Sequence, residues 1–104
     1  MALDSSAGIE RRLRDSGGVP ITMDGGSWHG PGVPTYGHLE RTAVELDGNR
    51  GLGIRIVVTV ATGSLPGLRL DKVLDVGGTT YRALDIAPIE DGALTQILLG
   101  EMPG

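Results

Sequence analysis

Phenylalanine and cysteine are both missing from the 104 residues, and the aromatic complement is one tryptophan, Trp28, and two tyrosines, Tyr36 and Tyr81. Without cysteine there is no disulfide, no thiolate metal site and no cysteine nucleophile. That usage is compatible with a reducing compartment. The core must be aliphatic. Large ligand pockets and nucleic-acid stacking platforms usually rest on aromatic faces, and three rings furnish little of either. Positive charge is also scarce: 13 acidic residues face 9 basic ones, a formal net charge of -4. Affinity for DNA rests on neutralising phosphates, so an acidic chain lacks that drive unless its cations cluster. The one cluster is Arg11, Arg12 and Arg14, which reads as the solvated face of a helix or as a contact for an acidic partner. The longest apolar run, Ile56-Val57-Val58-Thr59-Val60-Ala61, is far shorter than the roughly 20 residues of a membrane-spanning helix. Asp4 and Glu10 stand where a secretory signal would be apolar, so no targeting segment is expected.

What is abundant is glycine, 18 residues, together with 6 prolines. At that density and without a repeat, the pattern predicts tight turns between short strands in one domain. Residues 4–15 are the only helical candidate, with Ser5 or Ser6 as cap, Ile9 and Leu13 on one face, and Gly17-Gly18 as the stop. A helix this short is marginal alone. Residues 1–18 are therefore expected to form a mobile arm on a β domain spanning 19–104. Residues 19–23 read as a first strand. Residues 24–38, rich in Gly and Pro, read as a long mobile loop. Residues 41–46 read as a second strand, followed by a polar tip at Asp47-Gly48-Asn49-Arg50-Gly51. The clearest strand is 53–61, where Ile54, Ile56, Val58 and Val60 alternate on one face.

Gly77-Gly78 between two β-like runs predicts a type I′ hairpin, because that turn needs positive φ at both positions. The register then sets Leu74 opposite Tyr81 and Val76 opposite Thr79. Leu84 and Ile86 fall on the wrong face unless a bulge intervenes or the core is two-sided. Pro88 is expected to bend the exit, and 93–99 to form the last strand. Six or seven short strands with a short N-terminal helix predict a mainly β fold, a small antiparallel sandwich or barrel.

Catalytic motifs fail on inspection. Ser27 and His29 lie in a Gly-Ser-Trp-His-Gly run that lacks the order of a nucleophile elbow. His29 and His38, with Asp24 or Glu40, could approach a metal, but no ligand spacing is present and two loop histidines are the plainer reading. Gly51-Leu52-Gly53 precedes a strand rather than a helix, so it is no dinucleotide fingerprint. No enzyme activity, cofactor or metal is expected. Trp28 in its glycine-rich loop is either a lid folded onto the core or an interface anchor. With Arg11, Arg12, Arg14, Tyr36 and Arg50 it makes up the candidate partner-contacting set.

One stretch carries a resemblance. Leu65-Pro66-Gly67-Leu68, then residues 73–82 (VLDVGGTTYR), then Leu84-Asp85-Ile86, is similar to the head–tail joining proteins of long-tailed phages, of the lambda tail-attachment type. The looser likeness covers most of 19–99. The chain departs from the family at Asp71-Lys72, where Gly-Asp is common. The resemblance implies a structural virion protein. Six copies would form a ring at the neck, between a head connector and a tail-terminator or tail-tube protein. DNA would pass through the lumen without specific binding, with no membrane involved. Gene transfer agents carry related necks. The rival readings are a tail-terminator or tail-tube subunit of the same particle, then a β-barrel binding module, then an enzyme.

Overall fold

The structure, a computed structural model, describes residues 6–24, 26–45 and 52–102. Helix α1 (Ser6–Asp15) is followed by strands β1 (Val19–Met23), β2 (Thr35–Glu45), β3 (Leu52–Ala61), β4 (Val73–Val76), β5 (Thr79–Ile89) and β6 (Leu94–Glu101), with a 3-10 turn at Glu90–Gly92 before β6. The six strands close into an antiparallel barrel in the order β1-β2-β3-β6-β5-β4. The long-range pairing of β1 with β4, Ile21 opposite Val76, is the seam that makes the fold a barrel rather than a sandwich.

The interior is aliphatic, as the composition requires. Ile21, Val58, Val60, Leu74, Val76, Tyr81, Ala83 and Ile97 are all essentially inaccessible to solvent. Alternation puts them there, since every second residue of a strand faces inward. Gly37 is the small residue among them: a Cβ there would come within 2.6 Å of the Thr59 carbonyl oxygen and 2.7 Å of Ile21 Cδ1. Tyr81 is the one ring in the interior, and its hydroxyl accepts a 2.8 Å bond from Arg41 Nη2.

The hairpin forms with Leu74 opposite Tyr81 and Val76 opposite Thr79. Gly77 and Gly78 take φ of 60° and 93°, as the type I′ turn demands. The parity conflict beyond Tyr81 is resolved by a bulge between Ala83 and Asp85. Leu84 is turned outward, and Ile86 packs against the core. Asp71 adopts φ 68°, a conformation Asp tolerates better than most residues.

Three expected boundaries shift. Strand β2 begins at Thr35, so residues 35–38 are strand rather than loop: Val19 to Ile21 pair with Gly37 to Thr35, and Gly37 serves as a packing position, not a break. Strand β5 runs through Pro88, which is paired with Thr95, instead of bending there. Beyond Ala83 that strand has a ladder partner on one side only, where a missing N–H is tolerated. Strand β6 extends to Glu101, against Tyr81. The helix ends as expected on Gly17 and Gly18. Gly17 has φ 95° and donates to the Arg14 carbonyl, and Gly18 donates to the Leu13 carbonyl, a Schellman closure. Asp47 to Gly51, with Arg50, lie outside the described residues.

The β2–β3 hairpin outruns the barrel. Strand β1 covers β2 only from Thr35 to Gly37, and β6 covers β3 only from Ile56 to Ala61. The ladder between β2 and β3 nevertheless continues to Glu45 and Leu52. The result is a two-stranded ribbon beyond the rim, and the molecule measures 50 × 30 × 23 Å.

Candidate functional site

Polar chemistry gathers where α1 meets the 26–35 segment. Glu10, one helical turn before the arginines' last member, turns its carboxylate toward the barrel, and only 12% of that side chain is exposed. Its Oε2 accepts a 2.8 Å bond from Trp28 Nε1 and a short bond from the Thr35 hydroxyl. Its Oε1 lies 2.7 Å from His29 Nε2. Burial alone would raise the Glu10 pKa. The hydrogen bonds from Thr35, His29 and Trp28, with the charge of His29, outweigh it and hold the carboxyl below its ordinary 4.5.

Local backbone structure presents these donors. The His29 N–H donates to Ser27 Oγ, a serine turn that reverses the chain. The Ser27 N–H donates to the Gly30 carbonyl, and the Trp28 N–H to the Ser64 carbonyl, tying the loop to the β3–β4 connection. Gly26 has φ 87° and no room for a Cβ, which would sit 2.1 Å from the Gly30 carbonyl oxygen. The Trp28 and His29 rings are tilted at 60° with centroids 5.5 Å apart. Thus Trp28 folds back onto its own chain, with its N–H spent on Glu10. The imidazole Nε2 of His29 is directed to Glu10, not to Ser27. His38 lies apart from it, 3.9 Å from Glu40. Among the described residues no group of three His, Asp or Glu side chains gathers as a metal site.

Arg14 lies over the Tyr36 ring, 5.8 Å from its centroid, and is 3.8 Å from Asp15. That cation–π contact ties α1 to β2. Arg11 is exposed on the helix, while Arg12 lines a groove described below. Trp28 and Tyr36 help hold the N-terminal helix on the barrel, so the arm has partners within its own chain.

Sequence reasoning missed Glu10, Thr35 and the direction of His29. The one available signal was an acid next to the Ile9–Leu13 face of an arginine-rich helix. No known protein family matches the chain, and no curated protein matches it in sequence. The fold and the site define its class: a closed six-stranded barrel with its N-terminal helix latched to a loop by a carboxylate.

Proposed function

We propose that the chain is a structural part of a phage or phage-like particle: a ring subunit at the neck that joins the DNA-filled head to the tail, with no catalytic role. The supporting observation is where the fold places its surface. The barrel interior is occupied by buried aliphatic side chains and Tyr81, while a ribbon projects past the rim with Ile54 68% exposed. A part whose task is to hold neighbours needs projecting surface rather than an interior pocket. The residues of the resemblance, 65–86, build the β4–β5 hairpin and its approach. The partners on this reading are further copies of the chain, the head connector and the tail-terminator or tail-tube protein. The acidic composition suits a conduit through which DNA slides.

The test is genetic. Deleting the gene leaves full heads and finished tails that do not join, and adding the purified protein to the extract restores joining. Tails of uncontrolled length would identify a tail-terminator instead, and normal joined particles would refute the neck assignment.

A further inference from the structure

Two surfaces formed by the described residues are complementary in shape and charge. The first is the inner face of the ribbon. The alternation that buries Ile56, Val58 and Val60 continues to Ile54, beyond the last residue covered by β6. Ile54 sits opposite Ala43, and Arg41 lies on the same face opposite Ile56. Arg41 donates one bond to Tyr81, and a guanidinium has five N–H donors in all.

The second is a groove of about 710 Å³ between α1 and the start of β6. Ile9, Leu13, Ala93 and Leu94 give it apolar walls, Glu90 and Asp91 form an acidic lip, and Arg12 also lines it. The lip is held in an uncommon conformation: Glu90 and Asp91 have φ of 51° and 55°, and Gly92 follows at 88°. Consecutive left-handed residues other than glycine cost energy and recur at binding and switch regions.

We propose that the ribbon of one copy seats in this groove of a second copy, Ile54 against the apolar walls and Arg41 at the Glu90–Asp91 lip. The charges match, and so does the chemistry of knob and walls. The chain cannot make this contact with itself. Leu94 pairs with Ala61, seven residues along β3 from Ile54, a separation of roughly 23 Å at about 3.3 Å per residue. Because ribbon and groove are different patches, the contact is heterologous, and repeated it gives a closed ring or a filament. It supplies the subunit joint of the ring reading and rests on that reading for its biological setting.

The absence of cysteine makes the test clean. Full-length chain carrying Ile54→Cys is mixed with a size-tagged chain carrying Leu94→Cys and treated with a short bis-maleimide. The expected result is mixed product well above the yield of either variant alone. Arg41→Glu on the ribbon chain should cut that yield about tenfold, and Glu90→Arg on the groove chain should restore it, a rescue in trans that misfolding cannot mimic. Product between Ile54→Cys chains only would mean ribbon-to-ribbon pairing and overturn the proposal. So would an absent cross-link with the groove instead taking up an apolar dye regardless of the ribbon variant, which would assign it to a small ligand. Loss of joining on gene deletion without any cross-link, in rings as in solution, removes this contact and leaves the neck reading. A cross-link with normally joined particles does the reverse.

Discussion

Replacing Glu10 by alanine removes the carboxylate that Trp28, His29 and Thr35 share. A hydrogen bond to a charged group contributes about 1.5–3 kcal/mol, and a buried group left without a partner costs about 1–3. The three donors are not equal. His29 is exposed and Trp28 half-buried, so both can turn to water, whereas Thr35 is fully buried. The cost is therefore set mainly by Thr35, about 2–3 kcal/mol rather than three full bonds. With a urea slope of about 1–3 kcal/mol per molar, the unfolding midpoint should fall by about 1 M or more. Trp28 is the single tryptophan, so its fluorescence reports the latch directly. Glu10→Gln keeps an acceptor and the shape, and should lose about half as much. A depressed carboxyl pKa stabilises fully above the unfolded value and fades as pH falls through the lower folded value. Trp28 emission should accordingly shift as the pH drops below the ordinary 4.5 of Glu10, and that step should be missing in Glu10→Gln. An unchanged midpoint and unchanged emission in Glu10→Ala would refute the latch.

Gly78→Val should cost about 1 kcal/mol or more, read as a lower melting midpoint, because φ is 93° there although a Cβ would touch nothing. The strain is in the backbone alone, so an unchanged midpoint would contradict the turn. Ser64→Ala should stabilise the fold by up to about 1 kcal/mol, since the Ser64 hydroxyl is buried with no hydrogen-bond partner among the described residues. A lower melting temperature in that variant would reveal a partner for the hydroxyl.

The hairpin was legible in sequence because two adjacent glycines between alternating runs admit few turns, and the turn fixes the register. Strand β3 was legible because its alternation is unbroken from Ile54 to Val60. The bulge announced itself as a conflict between Tyr81 and Ile86. The start of β2 was not legible, since Pro34 and Gly37 read as loop residues until Ile21 and Val60 are seen to need the space at Gly37. Closure of the barrel depended on the pairing of β1 with β4, across more than fifty residues of chain. The Glu10 latch was hidden for the same reason: its partners lie 18 to 25 residues away on a segment with no periodicity.

The bulge at Leu84 makes β5 sensitive to length in an unusual way. Asp85 pairs with Leu98 and Ile86 with Ile97, directly after Ala83 with Leu99. Removing Leu84 would therefore leave every remaining side chain on its present face, and the ladder would read through without interruption. What would vanish is the local bend that the extra residue gives an 11-residue strand. Gly100, whose Cβ position is occupied to within 2.8 Å by Leu84 Cδ1, would lose its reason to be glycine. A one-residue deletion past the bulge, from Ile86 onward, would instead invert the facing of all that follows in the strand. The strand thus has a single place where its length is free to drift by one without scrambling inside and outside, and there the change is registered as curvature.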